Sequence, residues 1–274
     1  MFEQRRYRTK AASAVGLLEL IYVTTVRNLR KTHSSAVMGL VINLAQTCAM
    51  VLVLFVLMSL IGLRSSPIRG DFLLFIMSGV FLFITHNKAV GSVYGSDGPV
   101  SGMMMHAPMN TIVAMAGGAL ACLYQQVLTV LVILFVYHAA VQPITIDDPV
   151  GALGMLLLAW GSGVAVGILL AAAKPWWPRG VAIIKMIYQR LNMIASGKLF
   201  VANAMPGFVL QWFTWNPLFH TIDQARGFLF LNYNPHYSSV VYPVYLSAAL
   251  IMIGLLVEFF TRKHASLSWR TLGV

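Results

Sequence analysis

Three groups of residues have types and spacings that can do chemistry. His220, Asp223 and Arg226 stand at i, i+3 and i+6, so a helix would place an imidazole, a carboxylate and a guanidinium on one side. Such a trio could act on a lipid-linked substrate as an acid–base site, or be no more than an i, i+3 ion pair beside a histidine. Met103, Met104, Met105, His106 and Met109 combine thioethers with an imidazole, ligands that suit Cu(I). Consecutive methionines point in different directions on a helix, however, and a flexible apolar surface for a partner is the simpler reading. Lys185, Gln189, Asn192 and Ser196 recur at i, i+4, i+7 and i+11 inside an apolar stretch. Polar residues in that setting face a protein interior or a water-filled path, so interhelical contact and a translocation path are both open, and the path is the reading carried forward. No Gly-x-x-x-x-Gly-Lys-Ser/Thr loop cradles a nucleotide, and no Gly-x-Ser-x-Gly elbow presents a serine nucleophile. The chain calls for no catalytic residue, metal or cofactor of its own.

The elements that must position these groups are set by composition. Hydrophobic residues make up 58% of 274 residues and charged residues 10%. A soluble domain carries about 25% charged residues, so a soluble enzyme and a disordered chain are both excluded. Long continuous apolar runs point to helices rather than a barrel. Six spans are expected, at about 36–62, 71–92, 111–138, 150–173, 180–203 and 239–261. The second ends untidily at His86, Asn87 and Lys88, and Lys185, Gln189, Arg190 and Asn192 interrupt the fifth. The fold class is all-α integral membrane, one transmembrane domain over 1–274. The start of the chain lacks the clean apolar core of a cleavable signal.

Charge sets the expected orientation. With both termini cytoplasmic, 15 of the 19 Lys and Arg residues lie inside, against Arg64, Arg69, Lys198 and Arg226 outside. The net charge of +11 then meets anionic headgroups of the bilayer rather than nucleic acid. Val15, Leu18, Tyr22, Val26 and Leu29 make one apolar face of an interfacial amphipathic helix over 15–31. Gly95, Asp97, Gly98 and Pro99 mark a turn in the cytoplasmic loop. Asn216-Pro217 reads as an N-cap followed by proline at the first helical position, so a short re-entrant-like helix is expected before the last span.

Further polar alignments occur in the first span (Ser35, Gly39, Asn43, Gln46) and the third (Gly118, Cys122, Gln125, Thr129). Interhelical hydrogen bonding explains both. Ala159, Gly163, Gly167 and Ala171 form a small-residue ladder for close helix packing, and Glu258 and Arg262 an i, i+4 pair. Cys48 and Cys122 read as small core residues.

Four features together resemble the membrane subunit of type-2 ABC exporters, in the branch that moves capsular polysaccharide or O-antigen. They are the basic helix LELIYVTTVRNLRKTHSSAVMGL running into the first span, the six-span plan, Ser196-Gly197 followed by Met205-Pro206, and Trp215-Asn216-Pro217-Leu218 with His220 and Arg226. Leu40-Val41-Ile42-Asn43 stands where the family often has Trp, and Asp223 where it often has Glu. The resemblance implies a homodimeric permease of the bacterial inner membrane, not itself an enzyme. A separate nucleotide-binding ATPase would carry ATP–Mg, and periplasmic and outer-membrane export proteins would follow it. It implies ATPase coupling through Arg27, Arg30, Lys31 and Asp97, and an outer gate at Asn216, Pro217, His220, Asp223 and Arg226. Trp212 and Trp215, with Phe219 and Tyr233, would stack on sugar rings or form an interfacial belt. A small lipophilic cargo is the alternative within the class.

Overall fold

The computed structural model describes residues 10–31, 36–60, 62, 68, 70–96 and 110–271. Among them every regular element is helical. The helices are α1 (Lys10–Lys31), α2 (Ala36–Leu60), α3 (Phe72–Tyr94), α4 (Thr111–Ala140), α5 (Pro149–Ala173), α6 (Pro178–Ala195), α7 (Gly207–Leu210), α8 (Pro217–Leu229) and α9 (Val241–Thr271). Five of them (α2, α3, α4, α5 and α9) are long and apolar enough to cross a membrane. The protein is an all-α, multi-pass membrane protein.

Side-chain caps start the helices where the sequence offers them. Asp71 accepts from Leu73 N–H at 3.0 Å to open α3, and Asp148 accepts from Val150 and Gly151 N–H, both at 3.0 Å, to open α5. These contacts satisfy amide donors that no helix turn can reach. His86, Asn87 and Lys88 do not end the second span, because α3 runs on to Tyr94.

α3 is the centre of the bundle. Its residues from Leu74 to His86 are all buried, and α2, α4, α5 and α8 pack around it. The small-residue ladder on α5 allows the closest approach. A Cβ on Gly163 would sit 2.5 Å from the His86 carbonyl oxygen, and one on Gly167 would sit 2.8 Å from Val93 Cβ. α9 covers the other side of α5. α2, α4 and α9 turn apolar side chains such as Leu52, Phe135 and Met252 outward, the surface that hydrocarbon would cover.

α1 lies against α4 through its small and polar side. Thr24 is buried, and a Cβ on Gly117 would meet it at 2.6 Å. Val15, Leu18 and Tyr22, the apolar stripe expected of an interfacial helix, stay exposed. The helix begins five residues earlier than the 15–31 expectation.

The expected fifth span, 180–203, is shorter than its hydropathy window. α6 ends at Ala195, and Gly197 takes a positive φ of 74° that turns the chain. A Cβ there would also meet Phe219 at 2.8 Å, so glycine is required twice over. α6 is not among the five apolar helices.

Candidate functional site

Polar side chains gather at two places, one at each end of α3. The end carrying α1, the starts of α2 and α4 and the close of α3 is called the basic end; the end carrying α8 is the far end.

At the far end, Asn216 performs two tasks. Its Oδ1 accepts from Leu218 N–H at 3.0 Å and caps α8. Its Nδ2 donates to Asn192 Oδ1 at 2.8 Å and to the Ala195 carbonyl at 3.0 Å, closing the end of α6. Pro217 occupies the first turn of α8, as expected. Arg226 then reaches back from α8. Nη1 donates to the carbonyls of Gly197 at 3.0 Å and Phe200 at 2.6 Å, and Nη2 to that of Lys198 at 2.8 Å. Its guanidinium carbon lies 4.0 Å from the Phe75 ring centre. A planar fork suits three carbonyls and an aromatic face in a way an ammonium cannot.

Asp223 does not pair with Arg226. Its carboxylate accepts from the Tyr233 hydroxyl and from Ser238 Oγ, the latter at 2.6 Å. His220 is committed on both ring nitrogens. Ser239 N–H donates to Nδ1 at 3.1 Å, which leaves the proton on Nε2 to donate to the Thr214 carbonyl at 2.7 Å. Burial pushes the His220 pKa down, with the Thr214 carbonyl and Asp223 opposing. The trio that the spacing placed on one helix side is therefore one knot of structural contacts, tying α6, α8 and the start of α9 together.

The aromatic residues divide. Phe219 is buried with Phe200 and Phe213, and Tyr233 is buried on Asp223, so neither ring is open to a sugar. Trp212 and Trp215 are exposed, at 74% and 49%. Trp215 Nε1 donates to the Trp212 carbonyl at 2.6 Å, and the Tyr242 hydroxyl to the Trp215 carbonyl at 2.7 Å.

The polar stripe of α6 faces inward. Asn192 and Ser196 are buried, Gln189 donates to the Asn87 carbonyl at 3.0 Å, and the Lys185 ammonium lies 4.8 Å from the Tyr94 ring centre. Tyr188 on the same side meets His86 Nε2 at 2.8 Å, and His86 Nδ1 reaches Ser162 Oγ at 3.0 Å. Ile183, Ile187, Leu191 and Ile194 point outward. Within one chain this stripe packs against α3 and the turn before α8.

At the basic end, the polar alignments of the first and third spans meet around Lys88. Its ammonium donates to Asn43 Oδ1 and to Gln46 Oε1, the latter at 3.0 Å. Asn43 Nδ2 donates to Thr129 Oγ1 at 2.8 Å, and Gln126 Nε2 to Asn43 Oδ1 at 3.2 Å. Beside this cluster lies a cavity of about 570 Å³ between α1, α2, α3 and α4.

Of the residues expected to couple to an ATPase, Arg27 is half-buried and Arg30 exposed on α1, and Lys31 is the last residue of that helix. Asp97 and the methionine cluster Met103–Met105, His106 and Met109 lie outside the described residues. Arg262 donates to the Asn110 side chain at 3.0 Å and keeps a charge interaction with Glu258 one turn earlier.

Sequence reasoning passed over Lys88, His86 and Tyr188 as site residues. The signal for the first was present: Lys88, Gly91, Ser92, Gly95 and Ser96 share one face at helical spacing. No family model and no curated protein matches the chain.

Proposed function

We propose that this chain is the transmembrane subunit of an ATP-driven exporter that moves a cell-surface polysaccharide across the bacterial inner membrane. One observation carries the reading. The two sequence segments most specific to the exporter resemblance, Ser196-Gly197 and Asn216-Pro217-Leu218 with His220 and Arg226, meet in a single knot just before the last helix. Segments resembling a gate would be expected to act as one unit, and these are bonded as one.

In this reading α6 is the fifth of six crossings. Its 18 residues reach about 27 Å at 1.5 Å per residue, close to the thickness of the hydrocarbon layer. Its polar face needs protein on one side, which α3 supplies. Both termini are cytoplasmic, and two copies pair around the substrate route. α1, with Arg27, Arg30 and Lys31, and the turn at Asp97 receive a nucleotide-binding ATPase, which carries ATP–Mg. The exposed pair Trp212 and Trp215 offers flat rings to a sugar chain on the outer side. Periplasmic and outer-membrane export proteins continue the route. A small lipophilic compound remains the competing cargo within the same class. The enzyme reading loses its base, because both nitrogens of His220 are occupied by backbone groups.

Mild-detergent capture of the chain from its native membranes, followed by mass spectrometry, tests the class. A stoichiometric ATPase with a phosphate-binding loop is expected. Recovery of the intact, folded chain with no ATPase contradicts the proposal. Deletion of the gene with staining of surface glycan tests the cargo, and an unchanged glycan coat points to the lipophilic compound.

A further inference from the structure

Lys88 lies within a membrane-spanning helix, where a charged side chain is costly and normally has a partner. Among the described residues its ammonium is met by two neutral amide oxygens, Asn43 Oδ1 and Gln46 Oε1. Among the described residues, no carboxylate lines the cavity it borders. Among the described residues, a positive charge is thus held beside a cavity by neutral groups alone.

The rest of the wall suits an anion with several oxygens. Ser92 and Ser96 supply hydroxyls, and Gln46, Gln125 and Asn28 supply amides. The serine hydroxyls now donate to the carbonyls of Gly118 and Val93, each at 2.7 Å, and rotate at little cost. Gly91 keeps the wall low, since a Cβ there would meet nothing within 4 Å. The volume of about 570 Å³ falls in the range of small-ligand sites.

We propose that this cavity binds a phosphate group, with Lys88 as its charged anchor and the surrounding amides and hydroxyls as its remaining donors. Charge-assisted bonds from an ammonium favour phosphate oxygens over neutral ligands. The cavity lies between spanning helices and runs to Gly95 and Ser96 at the end of α3, so an anionic phospholipid is one source and free phosphate the other. The inference rests on charge and volume and does not depend on the export reading.

The test uses the full chain in nanodiscs of phosphatidylcholine containing a minor share of phosphatidylglycerol, with retained lipid counted by native mass spectrometry. Wild type should retain phosphatidylglycerol selectively. Lys88→Gln should lower that retention about tenfold, the loss of roughly one charge-assisted contact. Lys88→Arg should keep most of it, and Lys185→Gln, a cation outside the cavity, should change nothing. Gly91→Val adds bulk where a Cβ meets nothing within 4 Å and should also lower retention. It carries the test if the Lys88→Gln protein fails to fold. Equilibrium dialysis with inorganic phosphate separates the sources. Lys88-dependent phosphate binding without lipid selectivity would support the site with free phosphate as its ligand. Wild-type retention of both ligands in Lys88→Gln and Gly91→Val would overturn the proposal. An equal loss of retention in Lys185→Gln would do so as well, by tracing the effect to general surface charge.

Discussion

Arg226 at the far end donates to three carbonyls and lies on the face of Phe75, whereas Lys88 at the basic end is held by two amide oxygens beside a cavity. Both are cations set among helices of an apolar chain. A buried charge is tolerated when fixed dipoles and hydrogen bonds replace its water. At Arg226 the backbone of the turn after α6 does this, so the charge acts as a structural rivet. At Lys88 the replacement is partial, and space is left over. A fully buried cation held by backbone carbonyls belongs to the stability of the fold; a half-buried one that borders a cavity is available for a ligand.

The largest effect is expected at the rivet. Arg226→Met leaves the carbonyls of Gly197, Lys198 and Phe200 without donors and should cost about 3–5 kcal/mol, read as a lowered thermal midpoint in detergent. Arg226→Lys should recover only part of this, because an ammonium lacks the planar fork. Next comes the packing that holds α3 in place. Gly163→Ala drives a methyl group against the His86 carbonyl, which is backbone and cannot rotate away, and should cost about 1–3 kcal/mol in the same assay. Asn216→Ala removes the α8 cap and the link to α6 and should cost about 1–2 kcal/mol.

Lys88→Gln marks the other side of the contrast. An amide can still reach its neighbours, so the thermal midpoint should shift by the equivalent of about 1 kcal/mol or less. A large destabilisation there would erase the distinction between the two ends. The smallest effect is at His220. Burial lowers its pKa in the folded chain, so the unfolded state binds the proton more readily. The stability it contributes is complete above the unfolded value of about 6.5 and falls as the pH drops below it. Melting curves from pH 8 down to pH 5 should show this decline, and His220→Asn should make it shallower.

Much of this was legible in residue spacing. The apolar runs placed α2, α3, α4, α5 and α9, the ladder from Ala159 to Ala171 predicted close packing on α5, and Asn216-Pro217 located the start of α8. Spacing could not assign partners. His220, Asp223 and Arg226 share a helix side, yet each bonds to a different segment, at Thr214 and Ser239, at Tyr233 and Ser238, and at Gly197 to Phe200. The α6 stripe was detectable by period, but whether it faced α3 or an open path depended on the neighbouring helix. Lys88 was hidden for a related reason. Its significance lies in Asn43, Gln46 and Gln125 from other helices, and no single-helix pattern shows a cavity.

The contrast between the two ends is tested most directly by measuring two quantities on the same purified samples of wild type, Arg226→Met and Lys88→Gln. One is the thermal midpoint, and the other is retained phosphatidylglycerol. A lowered midpoint in Arg226→Met, with a near-normal midpoint and lost lipid in Lys88→Gln, is the predicted result. If Lys88→Gln melts as early as Arg226→Met and keeps its lipid until it unfolds, Lys88 is a second rivet and the account of the basic end is wrong.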